Sequence, residues 1–212
     1  RRYEADVPAT LDLALRAELA VQGLTRFLDA RFAPYNHAYF NVNPAFMTNH
    51  YGQGHQNWGK TAESLALARL MSGSRANLDV ERKTFNGMID FSKSKLQHDK
   101  LPTPISRVML ALMHVYHREP NEELKGLIAF MADVHGKHAT IAAEQAYYWD
   151  GPPDERDTQL GVNGYLLQVF VNGTAIRALT RWHQISGDEQ SIELAGKLAA
   201  FLVQPKYWQP EC

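Results

Sequence analysis

A chain of 212 residues with 45% hydrophobic and 21% charged side chains carries enough apolar material for a buried core and too much for a disordered segment. Its formal net charge of −1 advertises no basic face, so neither nucleic acid nor an anionic membrane surface is expected as a main partner, and no apolar run approaches the roughly 20 residues that span a bilayer. The single cysteine, Cys212, excludes an internal disulfide and any cysteine-based metal site.

Helix signals dominate in chain order. Thr10 stands as a cap before apolar positions recurring every three and four residues (Leu11, Leu15, Leu19 and Leu13, Ala17, Leu24, Leu28), which predicts a helix over 11–28. From Ala30 to Asn57 the period breaks. Pro34, Pro44 and many Asn residues predict a long loop, and its aromatics (Phe32, Tyr35, Tyr39, Phe40, Phe46, Tyr51) predict a functional rather than a disordered one. Further helices are expected over 58–72, 78–96, 105–117 and 121–134, with a Pro-punctuated connector at 98–104. A second long irregular stretch is expected over 136–162, then helices over 174–185 and 189–203, the last stopped by Pro205. No run shows sustained alternation bounded by hairpin turns, so a large sheet is not expected.

A degenerate repeat runs through these helices. Glu63 to Leu70 leads into Ser72-Gly73-Ser74, and Ala175 to Trp182 leads into Ser186-Gly187-Asp188. Ile105 to Tyr116 followed by Pro120-Asn121-Glu122-Glu123 is a third copy without the glycine. Each copy reads as a helix, a tight turn and a return helix, with Gly as left-handed cap and Ser or Asp restarting the chain. The two aromatic loops precede hairpins rather than interrupt them. Short turns are therefore expected on one rim and the aromatic loops on the opposite rim. The whole is read as one all-α domain, 1–212, of antiparallel helical hairpins.

These hairpins, with Trp58-Gly59-Lys60-Thr61-Ala62-Glu63-Ser64-Leu65 and the Arg181-Trp182-His183 to Ser186-Gly187-Asp188 turn, resemble the six-hairpin glycosidase-like proteins, bacterial carbohydrate-active enzymes. The resemblance implies part of an (α/α)6 toroid. Three hairpins and a leading helix amount to about half of one, so the remainder is expected beyond Cys212 or through self-association. Tyr207-Trp208 would supply apolar surface for that contact. It also implies a carbohydrate substrate and a glycoside hydrolase acting on a plant, algal or microbial polysaccharide or its oligosaccharides, without a cofactor. The cysteine and zinc chemistry of the arabinofuranosidase branch has no counterpart here. Asn49-His50 followed by Trp58 is similar, at a different spacing, to the loop of toroidal polysaccharide lyases, in which an amide neutralises a uronate and His or Tyr removes the adjacent proton. A third alternative is a non-catalytic helical carbohydrate-binding module. An opening on Arg1-Arg2-Tyr3 without Met leaves room for a removed leader, and an exported or periplasmic location is favoured over a cytoplasmic one.

The candidate residues lie in the two loops. Asn49, His50 and His55 offer directional hydrogen bonds to hydroxyls, and Trp58 a flat apolar face for a sugar ring. The structural alternative is a loop whose amides cap a helix and whose Trp joins the core. Tyr148 and Trp149 form the second stacking surface. Beside them Asp150 is read as the proton donor, its pKa raised by the apolar Trp149, and Asp157 as its partner. The alternative there is a solvated acidic loop. His114 with His117, and His135 with His138, have metal-ligand spacing but no H-E-x-x-H pattern. No metal is expected, and surface or helix-terminus roles are assigned to them. Asn172-Gly173-Thr174 fits the N-glycosylation pattern. Arg177 and Arg181, four apart, could serve rim ion pairs or a uronate.

Overall fold

The computed structural model describes residues 12–26, 39–48, 54–95, 102–148 and 153–204, with side chains described at 12–26, 42–45, 58–90, 92–93, 103–148 and 169–204. The chain is all-α. Among the described residues, strand is confined to two short antiparallel hairpins. The expected loop residues Asn49 and His50, the segment around Trp149 and Asp150, and the Tyr207-Trp208 pair lie outside the described residues. Within the span read as one domain the chain gathers into two compact units, 1–90 and 91–212.

In the first unit, α1 (Leu13–Arg26) buries Ala17 and Val21, with Leu24 beside them, against Leu65 and Ala68 of α2 (Gly54–Ser72). The three-and-four spacing places these positions on one stripe of each helix. Asn77 Nδ2, just beyond the end of α2, donates to Thr25 Oγ1 in the last turn of α1 (2.8 Å). The two helices therefore finish at the same side and run in the same direction. The expectation of antiparallel neighbours throughout does not hold for this pair. Within the expected loop 30–57, β1 (Tyr39–Val42) pairs with β2 (Ala45–Thr48) through a two-residue Asn43-Pro44 turn, Val42 opposite Ala45. That turn lacks the Asn-Gly or Asp-Gly signature by which such hairpins are read from sequence. Helix α3 (Leu78–Lys95) follows α2 and runs across the division between the units.

The second unit is built from α4 (Pro102–Arg118), α5 (Glu122–His138), β3 (Thr140–Ala142), β4 (Gln145–Tyr147), α6 (Pro153–Ser186) and α7 (Glu189–Leu202). Helix α4 is its centre, with Val108 to Met113 buried on every face. Around it pack α5 and α6, which bury Ile128, Met131 and Leu179, while α7 packs on α6 and buries Leu198. Cross-helix contacts fix the directions. Ser106 at the start of α4 meets His135 at the end of α5, so these two run antiparallel. The Arg107 guanidinium lies over Phe170, and Arg181 donates to His117, so α4 and α6 run parallel. Both short turns, 119–121 and 187–188, therefore fall at one end of the unit. The β3–β4 hairpin falls at the other, where Tyr147 stacks on Phe201 near the end of α7 with centroids 5.0 Å apart. The segregation of turns from long connections is as expected within this unit.

Several boundaries differ from the sequence reading. Helix α4 begins at Pro102 rather than 105, because proline is accommodated in a first turn whose N–H groups have no helical partner. Helix α5 continues through Gly136 to His138. The described residues of the stretch 136–162 are the end of α5, a β-hairpin, and ten residues of a 34-residue helix α6 that starts at Pro153 rather than 174. Gly161, Gly164 and Gly173 weaken a helix by about 1 kcal/mol each relative to Ala, and that local preference yields to context.

Candidate functional site

The end of the second unit that carries the β3–β4 hairpin is organised by a buried polar network. His135, in the last turn of α5, is completely buried. Its Nε2 lies 3.1 Å from Ser106 Oγ and its Nδ1 3.1 Å from the Tyr148 hydroxyl. That hydroxyl also donates to the His135 carbonyl at 3.3 Å. All three contacts are satisfied if Ser106 donates to Nε2, Nδ1–H donates to Tyr148, and Tyr148 donates to the carbonyl. The rings meet edge to face at 5.6 Å. The Tyr148 amide donates to Asn172 Oδ1 of α6 at 3.3 Å, and Asn172 is itself fully buried. Three helices and the exit of the hairpin are thus joined through one imidazole.

Burial sets the protonation of this network. It lowers the His135 pKa to about 3, with the neighbouring His138 charge adding to the effect, so the ring is neutral at pH 7. Burial also holds the Tyr148 hydroxyl well above the usual phenol range, so it remains a donor. Ser106 and His135 have the spacing of a nucleophile and its base, but both are fully buried, and no substrate atom can approach them. The network fixes the backbone at Tyr148, immediately before the segment read as the site.

The eight candidate residues divide between the two units. In the first, Asn49 and His50 lie outside the described residues, and His55 is placed only as backbone in the first turn of α2. Trp58 is 4% exposed. Its indole is a core element of α2 and presents no open face to a sugar ring, which is the structural alternative weighed above. In the second unit, Tyr148 is likewise 4% exposed and occupied by His135 rather than offered for stacking. Trp149 and Asp150 lie outside the described residues. Asp157 falls on the backbone of α6, in its second turn, and not in a loop. Asp154, Glu155 and Asp157 thereby occupy the start of a helix, where the aligned peptide dipoles favour negative charge.

Other expectations are corrected by burial. His135 has neither the surface role nor the charged helix-terminus role read from its spacing, because burial keeps it neutral; Lys137 and His138 occupy the last turn of α5 instead. Its place in the core was visible in the stripe Leu124, Ile128, Met131, His135, a clean three-and-four series. Asn172 is buried mid-helix, so the folded chain does not present it for glycosylation. Arg181 donates to His117 Nε2 (3.2 Å) and to Gln184 Oε1 (3.2 Å), an exposed contact between α4 and α6 that agrees with the surface role read for His117. No group of three metal-ligating side chains occurs among the described residues, and no described helix is long and apolar enough to cross a membrane.

The fold and this end of the second unit define an all-α helical-hairpin array with one latched, loop-bearing end. No known protein family, characterised protein or solved structure matches the chain.

Proposed function

We propose that this chain is part of an α/α toroid that hydrolyses glycosidic bonds, with its site at the loop-bearing end of the second unit. One observation carries the reading: the short turns at 119–121 and 187–188 fall at the opposite end from the β3–β4 hairpin and Tyr148. An array sorted in this way has one end free for side chains that converge on a ligand. Asp150 follows the latched Tyr148 by two residues and is assigned as proton donor. Asp157, near the start of α6, is assigned as the ionised partner, since a helix N-terminus favours the carboxylate form.

The test is turnover of neutral and uronate-containing oligosaccharides by the parent chain, Asp150→Asn and Asp157→Asn. Each variant is expected to fold like the parent and to lose about 10²- to 10⁴-fold in rate. Parent-level turnover in both variants refutes the assignment. A second reading, a non-catalytic carbohydrate-binding module, is favoured by the sealed Ser106–His135 pair, because the best acid–base geometry among the described residues is out of reach of substrate. Binding without turnover, unchanged in both variants, is its signature.

A further inference from the structure

Helices α5 and α7 each pack closely on a partner, α4 and α6 respectively, but touch one another only lightly. A groove of about 420 Å³ opens between them. Its floor reaches Leu179 of α6 and Leu194 of α7, and Ile141 of β3 stands at one end. The α7 wall runs from Gln190 to Lys197, seven steps along a helix or about 10 Å. That length suits one or two sugar rings and is too short for a polymer-binding cleft.

The lining chemistry narrows the ligand. Asp188 is already engaged as the cap of α7, accepting from the Gln190 amide and from Ser191 Oγ. Glu193 and Lys197 are paired with each other across one turn. Asp133 and Lys137 remain, one turn apart on the α5 wall, with no ion pair or hydrogen bond among the described residues, and Gln190 lines the groove from α7. Asp133, Lys137 and Gln190 present acceptors and donors together. With Asp188, Glu193 and Lys197 the lining holds three carboxylates and two ammoniums, which disfavours an anion, and it contains no aromatic ring for a planar base. A neutral ligand with many hydroxyls satisfies it: hydroxyls bond the carboxylate, the amide and the ammonium, while the C–H face of a pyranose covers Leu194 and Ile141.

We infer that the α5–α7 groove is a saccharide-binding site, separate from the Tyr148–Asp157 region and non-catalytic. The choice of saccharide over other polyols rests on the carbohydrate reading proposed above, whereas the place of binding does not. The test uses the full ¹⁵N-labelled chain titrated with four neutral disaccharides: cellobiose, maltose, lactose and xylobiose. At least one is expected to shift the amides of 132–137 and 190–197 along a saturating, millimolar curve. Asp133→Ala and Gln190→Ala, both at exposed positions, are expected to weaken that binding about tenfold each while leaving the remaining spectrum unchanged. Asp150→Asn is expected to leave it intact. Shifts confined to residues 148–157 overturn the groove site and leave the proposed activity standing. Groove shifts in a chain that turns over no oligosaccharide support the groove and remove the activity. Absence of any shift with all four sugars, or groove shifts unaltered by both alanine variants, overturns the inference.

Discussion

At the end of α2, Ser72-Gly73-Ser74, and at the end of α6, Ser186-Gly187-Asp188, the backbone closes through the same set of bonds. Gly73 and Gly187 take left-handed φ values of 68° and 73° and donate to the carbonyls of Arg69 and His183, both at 2.8 Å. Ser72 and Ser186 bond back to the carbonyls of Ala68 and Trp182, and each hydroxyl then accepts the amide two residues on. Even the residue four before each glycine does the same work: Arg69 Nη1 donates to the Ser74 carbonyl at 3.0 Å, and His183 Nδ1 lies 3.1 Å from the Asp188 carbonyl. The turns part at the third residue. Asp188 caps α7 at once, accepting from Gln190 N and Ser191 Oγ. Ser74 is followed by three more residues before α3, and Arg69 spans them, reaching the Asn77 carbonyl and the carboxylate of Glu81. One acidic cap in the second turn thus replaces a buried ion pair in the first. A good cap makes a turn short; without it, the chain recruits a charge from the preceding helix.

That contrast is broken most severely by Arg69→Met. Arg69 and Glu81 are 7% and 2% exposed, so the variant strips a buried carboxylate of its guanidinium and is expected to cost about 3–5 kcal/mol in denaturant unfolding. The double variant Arg69→Met, Glu81→Leu is expected to recover most of the loss, because removing both charges also removes the desolvation cost. A double variant as unstable as the single one would show that the ion pair is not the source.

The second unit gives the next largest effect through pH, since its buried polar hub is neutral. The His135 pKa is about 3 when folded, below its value of 6.5 unfolded. A basic group with a depressed folded pKa takes up its proton only on unfolding. Stability is therefore full above about pH 6.5 and is lost as pH falls towards 3, by on the order of 4 kcal/mol across that window. His135→Gln keeps hydrogen-bonding capacity without a titrating ring and is expected to lower stability at pH 7 while flattening this acid limb. An acid limb of unchanged slope, read by unfolding from pH 7 to 4, would assign the effect to other groups.

Smallest are the cap changes. Asp188→Ala is expected to cost about 1 kcal/mol, and Ser74→Ala less, because only the former caps a helix directly. Ala at Gly187 is expected to cost about 1–2 kcal/mol from its left-handed backbone, although open space surrounds the position. Ala at Gly126 or Gly196, within helices and equally uncrowded, is expected to gain about 0.5–1 kcal/mol. Equal effects at turn and helix glycines would mean that φ is not what these turns select.

The helix-turn-helix repeat was legible because its signals are local. Gly73, Gly187, Asn121 and Asp188 act within one turn of chain, and each appears in the role its residue type implies. The site was far less legible. Trp58 and Tyr148 have the composition of a sugar platform, yet each is buried, and nothing in the neighbouring sequence distinguishes a buried aromatic from a presented one. The apolar stripe of α5 marks His135 as a core position, but its hydrogen-bond partners, Ser106 and Tyr148, lie 29 and 13 residues away in the chain and are not legible from it.

Sequence alone thus determined the all-α class, the turn chemistry and the apolar stripes, because caps, left-handed glycines and the 3.6-residue period depend on neighbours within a few positions. Tertiary structure alone decided which polar groups are buried, that α1 and α2 run parallel, and that a helix persists from Pro153 through three glycines. Burial and helix direction are set by contacts between segments distant in the chain, and those contacts outweigh a propensity of about 1 kcal/mol per residue wherever the two conflict.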